Sequence, residues 1–409
     1  MGGTALVSDP VASVNSVLSG YGTTIFTVMS ALAQAHGAIN LGQGFPDGEG
    51  PDDIREFAAR SLLDGPNQYP PAQGIPALRQ AVAAHNMRFY DLSVDWEHQV
   101  LVTSGATEAL AASLFGLLNP GDEVVLFAPL YDSYLPIVQL AGAVPRIVPL
   151  SPSDWALPGE ALAAACSART KVILVNSPMN PTGKVFAQDE LSMLAELARR
   201  YDAYLLCDEV YEHLTFDGVG HVPAMTLPGM GERAIRIGSA GKTFSLTGWK
   251  VGYITAATHL CAAIFKAHQF LTFTTPPNLQ AAVAYGLAKP DSYFTTLSRD
   301  LQYCRDLLSD GLQNIGFSVL PSAGTYFLAA DFSLLAPGIS DVEFCRRLTI
   351  EAGVAAVPFS AFYGPASTGS AANPLVSPPE AQLVRFCFCK PPELLEKALA
   401  RLASHFGGG

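Results

Sequence analysis

The sequence predicts an α/β protein: a large domain built on a mostly parallel sheet flanked by helices, with a smaller α+β domain beyond it. Three observations lead there. The chain has 409 residues, past the size at which a single core stops growing, so a larger and a smaller unit are expected. Between Gln99 and Tyr253, short continuous apolar runs alternate with helical stretches, the pattern of strands buried on both faces. After about residue 290 the pattern changes to charged helices and a strictly alternating strand, which is α+β in character. The boundaries expected from these changes are 1–50 for an N-terminal segment joining the small domain, 51–290 for the large domain and 291–409 for the small one.

In chain order, the first forty or so residues are polar and rich in Gly and Ser, then partly helical. They end in INLGQGFPDGEGPDD, a Gly/Pro/Asp cluster that reads as a loop. QVLVTSG is a strand leading into ATEALAASLFGLL, a helix with Thr107 and Glu108 in its first turn. EVVLFAP, KVILVNSP and AYLLCDEV are further runs of strand length, AIRIGSAGK holds a fifth apolar stretch, and segments such as ELSMLAELARRY supply helices. In the C-terminal part, LSRDLQYCRDLLSDGLQNIG is a helix of mixed charge and TYFLAADF is apolar. VEFCRRLTIEAG is helical, and LVRFCFCK alternates around Arg385.

Composition narrows the function classes. A net charge of −12 argues against nucleic acid as a partner, because its phosphates would be repelled. The longest apolar run, ALAASLFGLL, is too short to span a bilayer. Lys and Arg are absent before Arg55, so neither a basic signal-peptide start nor an Arg-rich transit segment is read. Seven cysteines without paired-doublet spacing are expected as reduced packing thiols in a cytoplasmic protein. Cys387 and Cys389 share one strand face and make poor disulfide partners. His213 and His268 lack metal-like companions in the sequence, so they read as structural or surface groups and no metal is expected. Lys184 reads as an exposed cap residue.

Two glycine patterns invite nucleotide readings and fail. The G-K-T at Gly241–Thr243 lacks the phosphate-loop glycine, since Arg236 stands five residues before Gly241. The G-Q-G at Gly42–Gly44 has Asp47 at the third glycine position, and no helix follows directly. More informative are the strand ends, because ligands of open parallel sheets sit beyond the carboxyl edge. Four of them finish in Ser104-Gly105-Ala106-Thr107, Pro129-Leu130-Tyr131, Asn180-Pro181-Thr182-Gly183 and Asp208-Glu209-Val210-Tyr211, and Lys242 follows the fifth apolar stretch. A carboxylate, an amide, a phenol, an aromatic face, a helix N-terminus and a lysine together suit pyridoxal 5'-phosphate.

Each group has a task in that chemistry. Lys242 would carry the cofactor's aldehyde as a Schiff base and, once freed, shuttle a proton at the substrate α-carbon, which requires a depressed amine pKa. Asp208 would keep the pyridine nitrogen protonated, while Asn180 and Tyr211 hydrogen-bond the phenolic oxygen. Tyr131 would lie against the ring, a contact of roughly 0.5–1.5 kcal/mol beyond burial. The N–H groups of Gly105, Ala106 and Thr107 would hold the phosphate at a helix N-terminus, joined by Ser239 and Lys250.

NPTGKV, CDEVY, SAGKTFSLTGWKVGY and LVRFCFCK closely resemble the class I/II aminotransferases of pyridoxal-phosphate fold type I. INLGQGFPDGEGP and NQYPPAQGIPALRQAV narrow the resemblance to the branch of kynurenine, glutamine and methionine aminotransferases, and it runs from about Gly20 to the end. The resemblance implies that Arg385 pairs with the substrate α-carboxylate through its planar fork, helped by the backbone of Gly44. It also implies that Tyr69 reaches the phosphate of a neighbouring subunit, hence a homodimer with shared sites, and that Phe26 and Phe273 approach the substrate. Tyr326 and Phe362 read as core aromatics. Lys250 stands where relatives often carry arginine, which keeps the charge without the fork.

The expected function is transfer of an α-amino group from an amino acid to a 2-oxo acid in a ping-pong cycle. From Ala267 to Ser298 there is no arginine for a distal carboxylate, and HQFLTFTTPP is apolar and hydroxylic. This favours neutral, bulky donors: aromatic amino acids including kynurenine, methionine or glutamine. Thr274 stands where kynurenine-handling relatives can carry histidine. The alternatives are β-elimination from cysteine conjugates or cystathionine, and transamination of an N-succinylated diamino acid, which calls for extra positive charge in the pocket. A regulator's effector domain would need a basic DNA-binding domain in front, and the residues before Gly20 are too few.

Overall fold

The computed structural model describes residues 15–364 and 382–407. Helix Ile25–His36 starts where the Thr24 side chain accepts from the Thr27 N–H and stops at Gly37 in the left-handed region. The short strand β1 (Ile39–Asn40) follows it. Seven strands then build the central sheet: β2 (Val100–Ser104), β3 (Glu123–Ala128), β4 (Val144–Pro149), β5 (Thr170–Asn176), β6 (Tyr204–Asp208), β7 (Ala234–Ser239) and β8 (Val251–Ala256). Their order across the sheet is β2-β8-β7-β6-β5-β3-β4. Six strands run in one direction and β8 runs against its neighbours β2 and β7. Strands β3, β7 and β8 are buried from end to end, as helices on both faces require.

Two strands of this sheet escape the apolar-run reading. β4 contains Pro145 and Pro149, which a strand tolerates at an edge, and β4 pairs only with β3. β8 is apolar but antiparallel, reached from β7 through the short helix Ala240–Thr243 and a 3-10 turn, Thr247–Trp249, rather than a long crossover helix. It passes so close to the start of helix Gly105–Leu117 that a Cβ on Gly252 would lie 2.6 Å from the Gly105 carbonyl carbon.

The C-terminal part carries β9 (Ser318–Val319), β10 (Phe327–Asp331), β12 (Val357–Pro358) and β13 (Leu383–Cys387) in an antiparallel sheet ordered β12-β13-β10-β9. β1 pairs in parallel with β11 (Val354–Ala355), so the N-terminal segment is bound to this part of the molecule. The mixed-charge helix begins earlier than its charged segment suggests, running Asp291–Ile315. The helix over VEFCRRLTIEAG is regular for Asp341–Arg347 and then widens into a π turn, Leu348–Ala352.

One buried charge anchors the sheet. Glu123, at the start of β3, accepts from Arg146 (2.6 Å), the Ser167 hydroxyl (2.6 Å) and Arg169 (2.7 Å). Burial pushes its carboxyl up, but the bonds from Arg146, Ser167 and Arg169 more than reverse this and hold it at about 2. A depressed carboxyl stabilises the fold above its unfolded value near 4.5, and the effect fades as pH falls toward 2. Glu123→Gln is therefore expected to lose about 3 kcal/mol at pH 7. Denaturant midpoints measured at pH 7 and pH 3 should show the gap to wild type shrinking in acid.

Candidate active site

Strand register sets the site. Across the carboxyl edge, Asn176 is opposite Asp208, Asp208 opposite Ile237, Ser239 opposite Gly252, and Ser104 opposite Val251. Every site residue named from the sequence, except Tyr69 and Phe273, lines one cavity of about 890 Å³ above this edge.

Asp208 is the acid of the cavity. Its Oδ2 accepts from the Tyr134 hydroxyl at 2.6 Å. Burial raises its pKa to about 6, against the opposing bonds from Tyr134 and Val210 and the charge of Lys242. It makes no ion pair among the described residues, so a cationic ligand group would restore its ionised form. Asn176 holds the Asp208 carbonyl through Nδ2 (2.8 Å) and the Asn180 N–H through Oδ1 (2.8 Å).

Lys242 sits on the short helix Ala240–Thr243 that follows β7. Its Nζ donates to the Tyr326 hydroxyl at 3.0 Å, and that hydroxyl donates to the Gly44 carbonyl at 2.7 Å. Burial lowers the amine's pKa, opposed by nearby Cys389 and Asp208. Tyr211 packs edge-on to Tyr326 with ring centroids 5.2 Å apart, and burial keeps its phenol protonated.

Arg385, in the middle of β13, is 1% exposed. It donates to Asn180 Oδ1 at 2.8 Å and to the Gly42 carbonyl at 2.7 Å. Its guanidinium lies 3.9 Å over Phe327 and 5.0 Å from the rings of Phe26 and Phe362. The Nε–H is buried without a partner, and no carboxylate of the described residues forms an ion pair with this side chain. A buried cation with a free donor fits a carboxylate ligand.

At the other end of the cavity, helix Gly105–Leu117 starts without a side-chain cap, so its first N–H groups are open. Gly105 is in the left-handed region, and a Cβ there would lie 3.3 Å from Lys250 Nζ. Helix N-terminus, lysine and the buried Ser239 form an anion cradle.

Tyr69 and Phe273 are the exceptions. They meet each other edge to face at 5.4 Å, outside the cavity, and are 81% and 45% exposed. Sequence reasoning missed Tyr134, Asn176 and Phe327, and treated Tyr326 and Phe362 as core aromatics. They are buried, but Tyr326 holds Lys242 and Phe362 flanks Arg385. Nothing local to their sequence marks these contacts, which arise from chain crossings. Two further expectations are corrected. Lys184 is not exposed: its side chain is 10% exposed and pairs with Glu190 at 2.7 Å. His213 does have companions, because its Nε2 lies 2.8 Å from that of His85, beside Glu212. Glu212 is bound by Arg236 and Tyr90, so the cluster is part of a buried ionic network under the sheet edge.

A family model described as aminotransferase class I and II matches residues 36–402. The chain belongs to this family. It is 45% identical to a probable N-succinyldiaminopimelate aminotransferase, DapC, of Mycobacterium tuberculosis, covering 95% of this chain and 97% of that protein. A solved structure of the N-succinyldiaminopimelate aminotransferase from that organism superposes with a TM-score of 0.90 at 44% identity, covering 96% and 100% of the two chains. The methionine aminotransferase of Escherichia coli is 40% identical over 95% and 97%, and its crystal structure also gives a TM-score of 0.90, covering 96% and 99%. Kynurenine–oxoglutarate transaminase 3 of mouse is 36% identical, covering 93% of this chain and 88% of that one.

The protein is thus an aminotransferase of fold type I that works with pyridoxal 5'-phosphate on amino and 2-oxo acids. The cavity fits that cofactor on its own chemistry. A buried carboxyl without a cation, a lysine amine with lowered pKa and an uncapped helix N-terminus face one space. Among the described residues, no helix is long and apolar enough to cross a membrane.

Proposed function

We propose that this aminotransferase takes the α-amino group from neutral, bulky amino acids (aromatic ones including kynurenine, methionine or glutamine) and passes it to a 2-oxo acid in a ping-pong cycle. The observation that carries this is the count of cations at the cavity. Lys242, Lys250 and Arg385 are the only lysines or arginines lining it, and every Lys and Arg of the sequence falls within the described residues. Lys242 would hold the cofactor, Lys250 its phosphate and Arg385 the α-carboxylate. No cation of this chain remains for a second carboxylate.

When bound, pyridoxal phosphate supplies an electron sink that stabilises negative charge at the substrate α-carbon. Asp208 would keep that sink protonated, Asn180 and Tyr211 would bind its phenolic oxygen, and Tyr131 would cover its face. Gly105, Ala106, Thr107 and Ser239 would join Lys250 at its phosphate. Lys242 Nζ moves the proton at the α-carbon. The Tyr326 hydroxyl gives its one proton to Gly44, so toward Lys242 it can only accept, and it thereby aims the amine. The Gly44 backbone and Arg385 orient the carboxylate, with Phe26 beside it.

The assembly proposed is a homodimer in which Tyr69 and Phe273 complete the neighbouring subunit's site. Their exposure supports this, as does that of Phe270 at 86% and Leu63 at 82%. The division 1–50, 51–290 and 291–409 and a cytoplasmic placement belong to the same reading, the latter supported by seven unpaired thiols. A second reading, an N-succinylated diamino acid as donor, draws on the 45% identity to the DapC protein. Thr27, Ser30, Gln34, Asn40 and Gln43, which line the cavity, could offer it only uncharged hydrogen bonds. The test adds single amino acids to the purified holoenzyme and follows conversion of the yellow aldehyde form to the amine form. Methionine, glutamine, phenylalanine and kynurenine are expected to convert it. Conversion by aspartate and glutamate alone, or by N-succinyldiaminopimelate alone, would reverse the donor assignment. Pyruvate and ammonia from cystathionine without any acceptor would favour β-elimination.

A further inference from the structure

His268 is 0% exposed, and each of its ring nitrogens faces an oxygen acceptor. Nδ1 lies 3.0 Å from Glu108 Oε1 and Nε2 lies 2.9 Å from the Ala72 carbonyl. A neutral imidazole can donate through only one nitrogen, so satisfying both contacts requires both protons. The residue's own carbonyl accepts from the N–H groups of Thr272 and Phe273. Glu108, for its part, holds the Ser104 N–H at 2.9 Å, directly before Gly105. One residue therefore joins three segments: its ring reaches the start of helix Gly105–Leu117 through Glu108 and the Tyr69–Gly74 segment through Ala72, and its carbonyl holds the loop that presents Phe273.

We propose that His268 is a positioning residue doubly protonated at neutral pH, an imidazolium strut that fixes the phosphate-binding turn of its own site to the Tyr69 arm offered to the neighbouring one. This rests on the reading that Gly105–Thr107 hold the cofactor's phosphate. The electrostatics agree: burial pushes the imidazole down, and the bond and charge of Glu108 with the Ala72 carbonyl more than offset it, so the group is held above its ordinary value. Glu108, from the helix Gly105–Leu117, is the charged group facing the ring. The Tyr69–Gly74 segment and Thr272–Phe273 bring backbone groups, and Lys266 on the same helix as His268 is exposed. A group with a raised value makes its contribution at lower pH and loses it as pH rises through that value.

Two measurements test the strut. In holoenzyme labelled with 15N-histidine, one ring should carry protons on both nitrogens at pH 7.5, and Glu108→Gln should abolish that signal. This readout on the wild type does not depend on a variant folding. In the second, the dissociation constant for pyridoxal phosphate is followed from pH 6 to pH 9 in wild type and His268→Gln. The variant is expected to bind roughly ten-fold more weakly at the acid end, the worth of one charged hydrogen bond. Wild type should weaken with rising pH along a step that the variant lacks. A singly protonated His268 in the wild-type spectrum, or identical affinity and pH slope in the two proteins, overturns the inference. Wild type that binds no pyridoxal phosphate at any pH overturns the site reading beneath it as well.

Discussion

Lys242→Ala is expected to lose transamination by at least about 10⁴-fold while keeping the fold and much of its affinity for the cofactor. The loss is large because one nitrogen has two duties, attachment of the cofactor and proton transfer at the α-carbon. The amine is suited to both. Burial lowers its pKa, and its contact with the Tyr326 hydroxyl fixes its direction. The affinity survives because the anion cradle at Gly105, Ser239 and Lys250 and the acid at Asp208 do not depend on that lysine. Stopped-flow half-reactions with methionine separate the two effects: binding persists, and conversion to the amine form stops.

Asp208→Asn is expected to slow the half-reaction by roughly 10²–10³-fold or more, the scale of removing one preorganised electrostatic group from a buried site. Asparagine keeps the shape and can still accept from Tyr134, so the fold should hold. It cannot keep a proton on the ring nitrogen, and the electron sink weakens. The pH response has a defined sign. Before the cofactor binds, burial holds the Asp208 carboxyl at about 6 despite the bond from Tyr134 and the charge of Lys242, so it is ionised above that value and neutral below. Cofactor affinity in wild type should therefore fall as pH drops through 6, and Asp208→Asn should lack that fall. Titration of apoenzyme with pyridoxal phosphate, read by absorbance between pH 5 and pH 8, measures both.

The central sheet was legible because its strands are buried on both faces, so EVVLFAP, KVILVNSP and AYLLCDEV declare themselves without context. β4 was hidden by two prolines that only an edge position accommodates, and β8 by its direction. Among the site groups, those at strand ends could be read, since topology brings the carboxyl edge of a parallel sheet to one place. Asp208, Asn180, Lys242 and the Gly105 turn all belong to this set. Tyr326 and Phe327 could not: Tyr326 meets Lys242 only where the C-terminal part packs against the large one, and Phe327 meets Arg385 only through the pairing of β10 with β13, which no local pattern announces. His268 was read as a structural or surface residue. Its significance lies in two acceptors, Glu108 and Ala72, that stand 160 and 196 residues away.

The measurement that bears most directly on this account is borohydride reduction of freshly purified protein, followed by proteolysis and mass spectrometry. The cofactor should be found covalently on the peptide containing Lys242 and on no other lysine. A label on Lys184, Lys250 or any other residue, or no label after incubation with pyridoxal phosphate, would contradict the assignment of Lys242 and the mechanism built on it.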